Sequence, residues 1–381
     1  MRIALINLPI DNNYGGNLQR YALCRVLQNE GHEVKFVERF TLQYYSTFPK
    51  NLIKYGIRFV KKLFVDRKTV IFDERLREWD NMLQMSQTLS FIERNIPCYK
   101  KKFYPGDSLK ELNYAGFDAI IVGSDQIFRA PYNISKENFF LGFITNPLIR
   151  KIAYGASFGN AGEEYTPELI SRCRQDLSLF YSVSLRETSG IDIFRDFGWK
   201  AKTNPQIVLD PTLLLDASEY ENLLDNNNDS KGIFCYVLDM SNDKLNFIKD
   251  VSKKLGKPYT ILDGLFPNLR RGTFKHPVQI PTIGQWLTQI KNADFIITDS
   301  YHGTIFSIIF NKPFFSVINC NRGKERFSFL EEEFGLSGLF LSKPLIKYDM
   351  DRPFQINWRF VNDVISAKKL ESIDFLNRSL C

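Results

Sequence analysis

Histidine is scarce in this 381-residue chain: there are three, His32, His276 and His302. A metal centre built from several imidazoles has little to draw on. The six cysteines, Cys24, Cys98, Cys173, Cys235, Cys320 and Cys381, are scattered, and none stands in a C-x-x-C pair. Reduced, buried thiols in a cytoplasmic protein are expected, with no metal. No apolar run approaches the ~20 residues of a membrane span. The opening MRIALINLPI lacks the long apolar core and cleavage site of a signal peptide and reads as a first strand. There is no G-x-G-x-x-G, so a nicotinamide cofactor is not expected. No DNA- or RNA-binding motif appears, so no nucleic-acid partner is expected.

What is present is globular in kind. Hydrophobic residues make up 44% of the chain and charged residues 24%. The length exceeds one ordinary core and implies two domains. The 33 Phe and 17 Tyr can fill large cores and line a sugar-binding cleft. A net charge of +7 suits an anionic substrate or an acidic membrane surface.

Strand and helix signals alternate along the chain. RIALINL, a Gly-containing loop, the helix RYALCRVLQNEG and HEVKFVERF form a strand–loop–helix–strand unit, the mark of a parallel sheet. FDAIIVGSDQIF, RKIAYGASFG and FYSVSLRETSG are strands ending in polar loops. GIFCYVLDM, KPYTILDG, DFIITDSYHGT and PFFSVIN repeat the rhythm, and WRFVNDVISAKKLESIDFLNRSL reads as a closing helix. The prolines at 205 and 211 mark irregular chain. We place a first Rossmann-like domain at 1–205, with a basic insertion near 41–112, and a second at 206–381, its last helix packing back on the first. FDAIIVGSDQIF and ADFIITDSYHGTIF share a plan, an Asp before an apolar strand and a polar loop after it. Two such domains facing each other leave a cleft, a common ligand site.

Within the insertion, 51–68 is basic and partly amphipathic. Ile53, Ile57, Val60 and Phe64 fall at helical spacing, beside Lys54, Arg58, Lys61 and Lys62. Such a helix either packs its apolar face on the first domain or contacts anionic lipid headgroups or a lipid-linked sugar diphosphate.

Several segments together resemble the polysaccharide pyruvyl transferase family: NYGGNLQRYAL, FDAIIVGSDQIF, SVSLRETSG, the DPT at Asp210–Thr212, and TDSYHGT, in that order. The resemblance implies a GT-B-like α/β fold of two Rossmann-type domains around a central cleft. It implies transfer of pyruvyl from phosphoenolpyruvate to a hexose, commonly as a 4,6-ketal. Some members carry an arginine two residues before the histidine. Here Ser300 stands there, and Arg186 or Arg326 is left to make that contact.

On this reading His302 and Asp125 are the catalytic candidates. His302 lies between a strand end and a helix start, and an imidazole is a side chain suited to proton transfer. Asp125 is placed to accept from a sugar hydroxyl, or else to cap a helix. Arg186, Ser300, Gly303, Thr304 and Arg326 are expected to bind phosphoenolpyruvate. Arginine forks suit its carboxylate and phosphate, and the N–H groups of Gly303 and Thr304 suit an anion. Arg322 and Lys324 are alternatives to Arg326. Asn13, Tyr14, Gly15, Gly16, Asn17, Gln19 and Ser124 are expected to line the acceptor site. The expected partners are phosphoenolpyruvate as donor and a lipid-linked sugar as acceptor, at the inner face of the membrane. The competing readings are a nucleotide-sugar glycosyltransferase of GT-B fold, for which no ribose-binding signature appears, and a non-catalytic binding protein.

Overall fold

The structure, a computed structural model, describes residues 1–381 apart from 41–47, 68, 136–137, 160–163, 226–230, 264–279, 319–322, 324, 343–344 and 346–354. His276, Arg322 and Lys324 therefore lie outside the described residues. The first half holds β1 (Arg2–Ile6), α1 (Tyr14–Asn29), β2 (Glu33–Phe36), α2 (Phe48–Phe64), α3 (Asp73–Asn95), β3 (Ala119–Asp125), β4 (Arg150–Ala156), α4 (Pro167–Leu177), β5 (Ser182–Leu185), α5 (Ser189–Asp196) and β6 (Gln206–Ile207). The second holds α6 (Ala217–Glu221), β7 (Ile233–Val237), α7 (Asn242–Leu255), β8 (Tyr259–Asp263), α8 (Ile283–Asn292), β9 (Phe295–Thr298), α9 (Tyr301–Ile309), β10 (Phe314–Val317), α10 (Glu325–Glu333), β11 (Phe340–Leu341) and α11 (Trp358–Leu380).

Local signals set these boundaries. Asn13 caps α1, and Gly31, in the left-handed region at φ 84°, follows its end. Ser241 caps α7 and Gly256 ends it at φ 61°. Thr282 and Gln285 form a capping box on α8. The central strands are apolar without alternation because both faces of each sheet are covered, whereas the edge strand β2 alternates.

Among the described residues the strands form two parallel sheets, ordered β2-β1-β3-β4-β5-β6 and β11-β10-β9-β7-β8. Both follow one winding. The first strand of each sheet (β1, β7) lies between the second (β2, β8) and the third (β3, β9), so chain direction reverses beside it. That reversal opens a crevice at the carboxyl ends of the strands. The two segments with a shared plan are β3 and β9, which occupy equivalent places in the two sheets.

The first sheet reaches Ile207, because Ser184 and Leu185 pair with Gln206 and Ile207. The passage read at 205/206 thus falls two residues inside that sheet; a two-residue strand beside Pro205 leaves no periodic signal. The closing helix α11 lies on the first sheet. The hydroxyls of Ser182 and Ser379 are 2.6 Å apart, the Leu209 N–H donates to Ser372 Oγ at 3.0 Å, and Phe375 packs against Tyr154. The start of α1 reaches the second sheet: Tyr14 stacks on the buried Trp286 with centroids 5.4 Å apart, and its hydroxyl donates to the Pro281 carbonyl at 2.6 Å.

Candidate active site

Both crevices empty into one place. β3 ends in Asp125, β5 runs into Arg186, and β9 runs through Ser300 into Tyr301 and His302 at the start of α9. The turn at Asp210 and the start of α10 complete the surround. Gly123 allows β3 to lie tight on β4: a Cβ there would stand 2.1 Å from the Tyr154 carbonyl oxygen. Asp125 then takes the left-handed region at φ 76°, which a short polar residue tolerates.

Arg186 is at the centre and fully buried. Its Nη1 donates to Asp210 Oδ2 at 2.7 Å and its Nη2 to Asp125 Oδ1 at 3.2 Å. Burial opposes its charge, but Tyr301, Asp210 and Asp125 around it outweigh burial and raise its pKa further. Arg326 comes in from the second sheet, its Nη1 3.6 Å from Asp125 Oδ1. Burial, then the neighbouring Arg186, lower its pKa. Both guanidiniums lie over the Tyr301 ring, Arg186 Cζ 4.7 Å and Arg326 Cζ 5.0 Å from its centroid. Attraction to the ring offsets part of their repulsion.

Asp210 is also fully buried. Its Oδ2 accepts from Gln19 Nε2 at 2.5 Å, and its Oδ1 accepts from the Thr212 N–H and hydroxyl. His302 Nε2 stands 3.7 Å from Asp210 Oδ2 and makes no hydrogen bond among the described residues. Burial works against the Asp210 charge. His302, Arg186 and Thr212 overcome it and hold the carboxyl below the usual range. Asp125 is held low in the same way, with Arg186, Arg326 and His302 outweighing burial. Glu187 differs: burial raises its carboxyl despite Arg186, and its Oε1 accepts from the Phe158 N–H. Gly15 explains the double glycine of the first motif. A Cβ there would stand 2.1 Å from His302 Cγ, so only glycine lets α1 pass this close.

The structure brings together His302, Asp125, Arg186, Arg326, Gly15 and Gln19. Several other expectations change. Arg186 holds two carboxylates through its Nη groups instead of presenting an open fork, because Asp125 at the end of β3 and Asp210 in the turn after β6 converge on it. Ser300 caps α9, its Oγ accepting from the Gly303 N–H at 3.3 Å, and its carbonyl accepts from the Thr304 N–H at 3.0 Å. The N–H groups of Gly303 and Thr304 are thus engaged within the helix. Those of Tyr301 and His302, in its first turn, have no intrahelical acceptor. The expected acceptor lining is largely internal bracing. Asn13 accepts from Gly16, Asn17 holds the 11–13 loop and Arg20, Tyr14 binds across the sheets, and the Ser124 hydroxyl donates to the Gly155 carbonyl at 2.7 Å. Burial pushes Arg20, beneath that loop, down to about 10. Most Phe and Tyr side chains fill the cores; Tyr301 is the aromatic at the charged centre.

Two further functional candidates are Asp210 and Tyr301. Their signals were the DPT turn and the aromatic beside the histidine. Asp11 lies beside the Asn13 cap, its Oδ1 accepting from the Asn13 N–H at 3.1 Å. Among the described residues no group of His, Cys, Asp and Glu has the geometry to hold a metal ion. A cavity of about 630 Å³ lies apart from this centre, between α3 and the start of α8, lined in part by Ser90, Arg94, Asp225 and Thr282.

Two parallel α/β sheets of like winding, with polar groups from both meeting at their carboxyl ends, define a GT-B-like protein. Among solved structures the chain is similar to UDP-GlcNAc 2-epimerase from Methanocaldococcus jannaschii, with 12% identity, a TM-score of 0.53, and 98% of this chain and 100% of that one covered. It is also similar to UDP-N-acetylglucosamine 2-epimerase from Rickettsia bellii, with 13% identity, a TM-score of 0.48, and 99% and 98% covered. The first likeness shows the fold. No curated protein matches the sequence. The model of the family described as polysaccharide pyruvyl transferase matches residues 13–321, and the chain belongs to that family.

Proposed function

We propose that the protein transfers pyruvyl from phosphoenolpyruvate to a hexose of a polysaccharide repeat unit, forming a 4,6-linked ketal and releasing phosphate. The observation that carries this reading is the buried centre where Arg326, Tyr301 and His302 of one sheet meet Arg186 and Asp125 of the other. It unites a cationic wall with a proton-transfer group, and family membership supplies the reaction class.

The reaction needs one proton delivered to the methylene carbon and two removed from hydroxyls. One hydroxyl oxygen bonds to the enol carbon, and the second displaces phosphate, which carries away the remaining proton. His302 moves protons between hydroxyl and donor, because its Nε2 is not engaged and Asp210 lies opposite as a compensating charge. Asp125, held ionised, accepts from a sugar hydroxyl. Arg326 and the first-turn N–H groups of α9 face the donor's carboxylate and phosphate. Arg186 and Gln19 act as positioning residues that hold Asp125 and Asp210.

The test is phosphate release from phosphoenolpyruvate with and without a panel of soluble and lipid-linked hexosides, followed by product mass. Hexoside-dependent phosphate with a product heavier by one ketal is expected. A protein that neither binds phosphoenolpyruvate nor releases phosphate with any of them overturns the proposal.

A further inference from the structure

The helix α2 leaves its apolar face in solvent, against the habit of a globular domain. Of its described side chains only Tyr55 is buried; Lys54, Lys61, Lys62 and the apolar residues all meet solvent. Tyr55 is buried and packs edge-on against Phe72, with centroids 5.1 Å apart. The residues on the other side are bare: Ile53 is 77% exposed, Ile57 64%, Phe64 80%, and Phe59, Val60 and Leu63 more than half. At 3.6 residues per turn, Phe59, Leu52, Leu63, Gly56, Val60, Ile53, Phe64 and Ile57 follow one another around an arc of about 160°. A Cβ placed on Gly56, within that arc, would meet nothing within 4 Å. A surface helix ordinarily buries such an arc against the core.

The charges around the arc identify what covers it. Lys61 and then Lys54 follow one edge, Lys62 stands beyond Tyr55 at the other, and no acid occurs between Leu52 and Phe64. No helix among the described residues is long and apolar enough to cross a membrane. An apolar stripe flanked by cations suits the boundary between anionic headgroups and acyl chains, where the stripe is buried and the ammonium groups stay among phosphates. We propose that α2 is a monotopic anchor that lies in the surface of an anionic bilayer, apolar arc inward. The insertion leaves the first sheet at the carboxyl end of β2, on the edge that also carries Asp125 and Arg186. An anchor on the segment that leaves this edge fits an acceptor carried on a lipid. The link to the acceptor rests on the pyruvyl-transfer reading; the bilayer contact rests on α2 alone.

The experiment is co-sedimentation of the full chain with phosphatidylcholine vesicles, with and without phosphatidylglycerol, in the absence of substrate. Phosphate release with a soluble hexoside is measured separately, so failure of the anchor and failure of the reaction are distinguishable. Binding to the anionic vesicles is expected. Ile57→Ser with Phe64→Ser should weaken it about tenfold or more. Lys54→Gln with Lys61→Gln should weaken it roughly 20- to 30-fold at low salt. Gly56→Leu, which adds apolar surface to the arc, should strengthen it. None of these should change turnover of the soluble hexoside. Equal or negligible sedimentation with both vesicle types overturns the proposal. So does a dimer in ultracentrifugation that Ile57→Ser with Phe64→Ser dissociates, which would assign the face to a second copy.

Discussion

Asp210→Asn tests the physical core of the site. The wild-type carboxylate accepts from Arg186, Gln19 and Thr212 with no access to water. Asparagine has the same shape and can keep the Thr212 bonds through its single oxygen. Its amide would face Arg186 Nη1 and Gln19 Nε2, donor against donor. Gln19 can turn its carbonyl to meet the amide, but Arg186 cannot adapt and keeps only Asp125. Removing one partner of a buried ion pair costs about 3–5 kcal/mol. Gln19→Leu, which removes a hydrogen bond to a charged group, should cost ~1.5–3 kcal/mol. Urea unfolding of wild type, Asp210→Asn, Arg186→Met and the double variant measures both the loss and the coupling. The double variant should lose about 1–3 kcal/mol less than the sum of the singles. The pH dependence has a definite sign. The Asp210 carboxyl is held below its ordinary 3.8 in the folded state. Its contribution is therefore complete above that value and is lost as pH falls through the folded pKa. The gap between wild type and Asp210→Asn should be widest near neutrality and close in acid. A loss under about 1 kcal/mol with no coupling would refute the picture of one buried charge network.

Other outcomes follow from the same geometry. His302→Gln should cost about 10²–10⁴ in acceptor-dependent phosphate release, while Arg326→Ala should mainly raise the apparent KM for phosphoenolpyruvate. Gly15→Ala should lower turnover by ~10²-fold with the fold intact by circular dichroism, because its Cβ takes the place of the imidazole; wild-type turnover would mean that His302 can move freely. Burial pushes the Lys151 ammonium down from 10.5 to about 8. The folded state then sheds its proton before the unfolded state does. Stability of the wild type relative to Lys151→Met should rise as pH increases from about 8 toward 10.5, read as a difference in Tm.

Much of this molecule was legible in its sequence. Apolar runs ending in polar loops gave the strands, and their order with helices between them required parallel sheets. Asp125, Arg186 and His302 could be placed at strand ends because a strand's end is a local property. The echo between β3 and β9 anticipated two sheets of one winding. Tertiary structure decided what those side chains touch. Arg186 reads as an open anion fork until Asp125, 61 residues away, and Asp210, 24 residues away, close on it. Gly303 and Thr304 read as anion donors until Ser300 engages them as a cap. The apolar stripe of α2 was visible as a period, but a period states only that two faces exist. Which face meets protein depends on where the rest of the chain packs, and here that left the apolar face in solvent.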